Sequence, residues 1–493
     1  MLTVGDGACG RGATMGAQQG HCRIEGFSST GGVAPGETID FHITVDPPQE
    51  FRVDVHRVGH YDGQGATRIM SSPRLAGIAQ PPPLTADRTV SCHHWWLSWR
   101  LPVPSDWSVG AYVAVLTTAD GRNRARIPFT VRDRRPADLL LVLPDITWQL
   151  HNRYPEDDGT GGTHTTGGTL HQPGDGDGDG GGNESGDGRL LGEGDSDLHS
   201  DIGAHSDSAT TVSFDRPYAG AGLPPSASHA YDVIRWAERY GYDLAYADAR
   251  DLHAGRVDPT RYRGLLFPGP DAYWSQAMRG TAEHAREYGT SLVFLSARTL
   301  YGQVELAPSP SGVPDRLLTC RSRSGRRRGP DRRTQDRGTQ DRSTQDRRVL
   351  GRATLWREAD RAEQQLIGVQ YAGGVPEPHP LIVRNAGHWL WEATGTFEGE
   401  AIEGLVAAGA DRYFPRTPLP EHEERVLLAH SPYTDGAGAG RHQETSLYRA
   451  PSGAWVFASG TLAWSPALGR PGRTDPRIQR ATANLLDRIC KSD

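Results

Sequence analysis

The chain has 493 residues, enough for two or three domains, and its 61 glycines, 35 prolines and 36% apolar residues leave it less apolar than a typical globular protein. A net charge of −7 argues against nucleic acid as the main partner. Because no run of about 18 apolar residues is present, we predict no membrane span. The amino terminus also lacks the pattern of a secretion signal, so we expect a cytoplasmic protein.

The first segments in chain order are a start of low complexity and a region of short strands. Residues 1–22 are Gly-rich and are predicted to be disordered. From residue 23 to residue 133, short alternating strands such as 38–43 and 51–58 are separated by turn signals, among them a hairpin turn at Asp120-Gly121. This spacing predicts an immunoglobulin-like β-sandwich over 23–133, which is more often a scaffold or binding surface than a catalytic domain.

The remainder, 134–493, shows the pattern of a doubly wound α/β domain. Residues 138–143 form a continuous apolar run, typical of a strand buried on both faces. Residues 264–301 contain a strand, a tight turn, a helical stretch that ends at Gly289 and a second strand, which is the βαβ unit of a parallel sheet. Ligands of such sheets bind outside the carboxyl ends of the strands. Tyr273 is predicted to lie there.

Two insertions interrupt this domain. Residues 155–210 are dominated by Gly, Asp, Ser and Thr and are predicted to be disordered, although their acidic run gives a weaker metal-binding alternative. Residues 321–348 repeat a Thr-Gln-Asp-Arg unit every five residues, which matches no solenoid class. We interpret this second insertion as a flexible charged loop rather than a surface for an acidic partner.

No familiar nucleophile motif is present. The chain has neither a Gly-x-Ser-x-Gly elbow nor a cysteine at the turn after its central strand, and it has no phosphate-binding loop and no His-Glu-x-x-His motif. The five cysteines are scattered and predict neither a zinc knuckle nor a disulfide framework. Tyrosine, carboxylate and histidine side chains near the carboxyl ends of strands remain as candidates.

The chain resembles the large (β) subunit family of N,N-dimethylformamidase. The stretches that carry the resemblance are 53–59, 214–218, 234–236, 241–243, 273–275, 294–297, 314–316, 366–368 and 450–461. The resemblance implies an amidotransferase-like α/β fold and hydrolysis of an amide C–N bond at a mononuclear iron held by two tyrosinates and one glutamate. Hard oxygen ligands suit a ferric Lewis acid that polarises a carbonyl group. A small amide is the expected substrate, with a small partner subunit or a homo-oligomer as the expected assembly.

The resemblance also implies a ligand set in this numbering. Tyr273 matches the tyrosine of the central motif of the family, and Tyr231 is the second predicted tyrosinate. The predicted carboxylate ligand is Glu363, with Glu358 as its competitor.

Two further residues are predicted from their position in the chain. Asp271 lies within the central motif, two residues before Tyr273, and His253 follows the preceding predicted strand. Either side chain is a candidate for assisting proton transfer.

The chain departs from the family pattern at several polar positions. Pro270 and Ala272 replace a histidine and a glutamate of the central motif, Arg298 and Gly302 replace residues that flank a later tyrosine, and Gly409 replaces a glutamate. Because surrounding polar groups tune the ligands of a metal, these losses predict changed or lost activity. A catalytically inactive binding or assembly protein is therefore the alternative, and carbohydrate binding by the Trp-rich second half is a weaker one.

Overall fold

The computed structural model describes residues 23–86, 89–132, 135–155, 210–224, 226–320 and 354–491. It is a mixed α/β protein with 20% helix and 37% strand. The segments predicted to be disordered (1–22, nearly all of 155–210, and 321–348) lie outside these ranges. Within the described ranges, no helix is both long enough and apolar enough to cross a bilayer.

The first part of the chain forms sheets that are antiparallel apart from one short parallel pair. Strands β1 to β11 are Arg23–Ser28, Gly32–Val33, Thr38–Asp46, Glu50–Val58, Ala66–Ser71, Leu75–Ala76, Leu84–Ala86, Thr89–Ser91, Trp99–Pro102, Gly110–Thr118 and Arg124–Val131. One sheet has the order β1-β3-β9 and a second the order β2-β11-β10-β4-β5, with β6 beside β4. Phe41 of the first sheet and Val53 and Phe129 of the second belong to one buried cluster, so the two sheets pack against each other.

The predicted hairpin in this part is confirmed. Strands β10 and β11 pair antiparallel across the Asp120-Gly121 turn, and Gly121 has a φ of +71°, a conformation that glycine adopts without strain. Strand β9 begins only at Trp99. The chain before it is held by other contacts, such as the hydrogen bond from the Trp95 N–H to the Cys92 carbonyl.

The second part of the chain contains the remaining elements. Strands β12 to β26 are Leu139–Leu143, Thr210–Ser213, Leu244–Asp248, Gly264–Phe267, Tyr273–Ser275, Ser291–Phe294, Gly302–Ala307, Leu317–Cys320, Gln370–Gly373, His379–Ile382, Ala401–Val406, Ala410–Arg412, Glu424–Thr434, Gly440–Arg449 and Trp455–Ala458. Helices α1 to α7 are Asp145–His151, Ala227–Arg239, Ala249–His253, Gln276–Glu287, Gln364–Ile367, Trp464–Gly469 and Pro476–Lys491.

A seven-stranded sheet organises this part. Its order is β14-β12-β15-β17-β26-β25-β24, with the first five strands parallel and the last two antiparallel. Leu141 packs on one face with α2 and α7, whereas Leu140 packs on the other face with α4. The predicted βαβ unit is confirmed, since β15 and β17 are parallel neighbours joined through α4. Both faces of the sheet are thus covered by helices.

The order of the strands determines where polar side chains meet. Strand β12 lies between β14 and β15 in the sheet. The connection that follows β12 leads to β14 on one side, whereas the connection that follows β15 leads to β17 on the other side. The two connections therefore diverge at the carboxyl ends of β12 and β15. Such a switch point leaves a crevice in which α/β proteins bind ligands. Here the Thr147 hydroxyl donates to Asp271 Oδ1 (3.2 Å) and accepts from the Tyr273 N–H (3.2 Å). These bonds fix the central turn against α1.

The antiparallel sheets also contact the second part directly. Arg57 Nη2 on β4 lies 2.7 Å from Glu238 Oε1 on α2. Val58 and Val113 share a buried cluster with Ile234. The two parts of the chain therefore bury apolar surface against each other.

We predict that Phe267→Ala strongly destabilises the protein. The Phe267 ring stacks on Phe294 with centroids 4.6 Å apart and lies 5.1 Å from the Trp274 ring. Its removal leaves a cavity at the central strand, with an expected loss of about 3–5 kcal/mol in the free energy of unfolding. Denaturant unfolding measures the change. The control is Phe397→Ala, because Phe397 is 65% exposed, and equal losses in the two variants would contradict the packing described.

Candidate active site

Tyr273 occupies β16 at the carboxyl-terminal edge of the parallel strands and is fully buried. Burial raises the pKa of its phenol, and the Arg298 guanidinium only partly offsets this effect. The His151 ring lies 6.1 Å away, and burial lowers the pKa of that imidazole to about 3. At neutral pH the Tyr273 phenol is therefore protonated and lies beside a neutral imidazole and a guanidinium.

Arg298 belongs to the turn after β17 and packs between two further tyrosines. Its guanidinium carbon lies 4.9 Å from the ring centroid of Tyr301 and 5.3 Å from that of Tyr371. Arg298 and Leu300 have φ values of +61° and +58°, which are uncommon for residues other than glycine. We name Tyr273, Arg298, Tyr301, Tyr371 and Asp411 the tyrosine–arginine cluster; Asp411 is described next.

Asp411 holds the strained turn in place. Its Oδ1 accepts the backbone N–H of Arg298 at 2.9 Å. Its Oδ2 is buried and accepts no hydrogen bond from the described residues. Burial raises the pKa of the Asp411 carboxyl to about 7, the hydrogen bond from Arg298 lowers it, and the nearby Glu363 charge raises it. This carboxyl can therefore both give and take a proton near neutral pH.

Glu363 lies next to the cluster, but a guanidinium engages its carboxylate. Arg357 Nη2 is 2.5 Å from Oε1 and Arg357 Nε is 3.2 Å from each carboxylate oxygen. Arg357 also donates to the Tyr371 carbonyl at 3.0 Å. Burial raises the pKa of Glu363, and the Arg357 charge opposes that shift. The competing residue Glu358 is exposed to solvent.

The two predicted proton-transfer residues are placed apart. Burial raises the pKa of the Asp271 carboxyl to about 7, and the hydrogen bond from the Thr147 hydroxyl opposes this shift. His253 Nδ1 instead lies 2.8 Å from the Ser275 hydroxyl, at the start of α4. Asp271 is thus close to Tyr273, whereas His253 supports the helix that follows.

Tyr231 lies on the opposite face of the seven-stranded sheet from Tyr273. It packs with Leu141, whereas Tyr273 packs with Leu140. Tyr231 lines a cavity of about 50 Å³ between the antiparallel sheets and the parallel strands. Burial raises the pKa of the Tyr231 phenol, and the Arg126 charge opposes this shift.

The predicted iron ligands therefore do not fit a resident iron ion. The phenols of Tyr231 and Tyr273 lie on different faces of the sheet, and a guanidinium engages both carboxylate oxygens of Glu363. Iron with oxygen ligands needs them at one point, without a competing cation. The structure instead brings Tyr301 and Arg298 to Tyr273. The sequence could have indicated these two residues, because both directly follow β17, the next parallel strand after β15.

The fold and the cluster thus define an α/β protein with buried titratable groups at the carboxyl ends of its parallel strands. The comparison with family models identifies the family. The model described as "N,N-dimethylformamidase beta subunit-like, C-terminal" matches residues 52–477, most of the chain. The chain belongs to this family, which confirms the resemblance. The search of curated proteins found no match.

We predict that added iron gives no visible phenolate-to-iron absorption band in the purified protein, because the predicted ligands do not converge. Iron content and visible spectra of wild type, Tyr231→Phe and Tyr273→Phe measure this, with the half-exposed Tyr240→Phe as control. The opposite result would be stoichiometric iron together with an absorption band that Tyr231→Phe and Tyr273→Phe both lose and Tyr240→Phe keeps. That result would show that the phenols of Tyr231 and Tyr273 bind the same metal ion.

We predict that Asp271→Asn changes how stability depends on pH. Burial raises the Asp271 pKa from 3.8 to about 7, so the native state binds more protons than the unfolded state between those values. The stability contributed by the neutral acid is therefore lost as pH rises towards 7. Relative to wild type, the variant should gain up to about 1.4 kcal/mol per pH unit in this window.

Urea unfolding at several pH values measures this gain. The control is Asp243→Asn, whose carboxylate is half exposed and lies 2.7 Å from Arg135. The same pH trend in both variants would mean that burial of Asp271 is not its cause.

Proposed function

We propose that this protein hydrolyses the C–N bond of a small amide at the tyrosine–arginine cluster, without iron held by Tyr231, Tyr273 and Glu363. The family match supports amide hydrolysis as the reaction class. The observation that carries the assignment is the buried Asp411 carboxyl, whose pKa is raised to about 7 and whose Oδ1 accepts the backbone N–H of Arg298. A group with that pKa suits general acid–base catalysis near neutral pH.

The proposed chemistry uses side chains of this chain. The Arg298 guanidinium donates to the carbonyl oxygen of the amide and stabilises the oxyanion. Asp411 takes a proton from water while the water oxygen bonds to the carbonyl carbon. The C–N bond then breaks, and Asp411 returns the proton to the leaving nitrogen, so that an amide and water give a carboxylic acid and an amine. The rings of Tyr301 and Tyr371 hold the guanidinium through cation–π contacts.

Asp271 is proposed as a second proton-transfer group. Its pKa is also raised to about 7, and its Thr147 partner accepts the N–H of Tyr273. Only the Thr147 hydroxyl would therefore separate a proton on Asp271 from the backbone N–H of Tyr273. For His253 we propose a positioning role through the Ser275 hydroxyl, which accepts the Met278 N–H at the start of α4.

We further propose the layout and assembly that accompany this function. The two packed antiparallel sheets support an immunoglobulin-like sandwich over 23–133. The parallel strands with helices on both faces support an amidotransferase-like domain over 134–493. The family description, which names a beta subunit, supports a small partner subunit, with a homo-oligomer as the alternative.

A second candidate is a catalytically inactive protein that binds a small polar ligand at the same cluster. Two observations favour it. The Glu363 carboxylate is engaged by Arg357. Pro270 and Gly409 also lack the polar side chains of the family pattern. Under this candidate the guanidinium binds a carbonyl or carboxylate oxygen, and no bond is broken.

We predict that the wild-type protein releases amine from at least one small aliphatic amide, and that Asp411→Asn lowers the rate about 10²–10⁴-fold. Arg298→Gln should lower kcat about 10²–10³-fold, because a donor to the oxyanion is lost. Amine release across a panel of amides is the measurement. The control is Asp243→Asn, a half-exposed carboxylate that pairs with Arg135 away from the cluster.

The same panel separates the two candidates. If wild type releases no amine, yet an amide or its acid product binds to it and not to Arg298→Gln, the inactive binding protein is supported. If Asp411→Asn and wild type act at equal rates, the proposed role of Asp411 is wrong. Circular dichroism of each variant establishes that it is folded.

A further inference from the structure

Two histidines and a glutamate converge on the antiparallel pair β24–β25, away from the tyrosine–arginine cluster. His430 lies opposite Glu444 in the strand register, and His442 is two residues before Glu444 on the same side of β25. His430 Nδ1 is 3.0 Å and His442 Nε2 is 3.8 Å from the same oxygen, Glu444 Oε1. The two imidazole rings are 4.6 Å apart at 31°.

We propose that His430, His442 and Glu444 bind a divalent transition-metal ion such as Zn²⁺. The three candidate ligand atoms lie within 4.8 Å of one another. Two imidazole nitrogens and one carboxylate oxygen are a common protein set for zinc, which needs about 2.0–2.2 Å to each of them. Small side-chain rotations bring the three atoms around one ion, because all three come from one pair of bonded strands.

The surroundings of Glu444 favour a ligand role. Its Oε2 accepts the backbone N–H of Tyr413 at 2.7 Å, which orients the carboxylate and leaves Oε1 towards the imidazoles. Hydrogen bonds that orient a ligand in this way usually accompany metal sites. The Glu444 side chain is only 8% exposed, so its charge gains more from a bound cation than a solvated carboxylate would.

The two histidines are suited to receive an ion from solvent. The His430 side chain is 44% exposed, so an ion reaches the site directly and keeps water in its remaining coordination positions. The His442 side chain is 31% exposed and is therefore also open to solvent.

A simple ion pair is the competing explanation. One imidazolium beside Glu444 would account for the 3.0 Å contact of His430. An ion pair does not require the second imidazole, yet His442 Nε2 lies 3.8 Å from the same oxygen. The site shares no residue with the tyrosine–arginine cluster, so the inference does not rest on the proposed amide hydrolysis.

Metal binding to the full chain tests the site. Calorimetric titration with Zn²⁺ should show one site in wild type, weakened at least tenfold in both His430→Gln and His442→Gln. Co²⁺ should give a visible ligand-field spectrum in wild type that both variants lose. The control is His284→Gln, an exposed histidine on α4 whose ring packs on Tyr288, and it should match wild type.

The chain has 19 histidines, several of them outside the described residues, so the comparison between variants decides the result. Zn²⁺ affinity that is unchanged in both site variants, or no stoichiometric binding by wild type, would overturn the proposal. Thermal unfolding adds a second measurement, because Zn²⁺ should raise the Tm of wild type and of His284→Gln only. If one site variant does not fold, the other variant and the Co²⁺ spectra decide.

Discussion

Burial of the parallel strands on both faces is the constraint on which the rest of the structure depends. Every residue of Leu139–Leu143 is at most 3% exposed, so the strand accommodates only apolar side chains along its length. In the five parallel strands, the small polar and charged side chains therefore lie at or beyond the strand ends, as Asp248 and Ser291 do. The change of direction between β12 and β15 then collects several of them in one crevice, where Thr147 joins the ends of both strands.

Charge compensation determines what this crevice can bind. A buried carboxylate needs either a cation or a proton. Glu363 has a cation, the Arg357 guanidinium, whereas burial raises the pKa of Asp271 and of Asp411 to about 7. Arg298 adds a fixed positive charge between two tyrosine rings. The crevice thus favours an electron-rich oxygen of a ligand over a further cation.

The family match and the site geometry give different information about function. The match over 52–477 establishes the relationship and points to amide chemistry. The geometry shows what this chain places beside Tyr273, namely the Arg298 guanidinium, held between the rings of Tyr301 and Tyr371. A cation at that position repels an adjacent metal ion, whereas it stabilises an oxyanion. The same family framework can therefore support a different way of stabilising charge.

The sequence by itself determined the local elements and the family. The βαβ unit and the hairpin at Asp120-Gly121 follow from hydrophobic periodicity and turn chemistry, which act over a few residues. Only the tertiary structure decided which side chains meet. Tyr231 and Tyr273 are on elements that pack against different faces of one sheet, a choice made by strand order and not by local pattern. The pairing of Glu363 with Arg357 depends on the conformation of a loop. The contact of two histidines with one glutamate depends on the register of β24 against β25. Neither the loop conformation nor the register is encoded in the periodicity of the sequence.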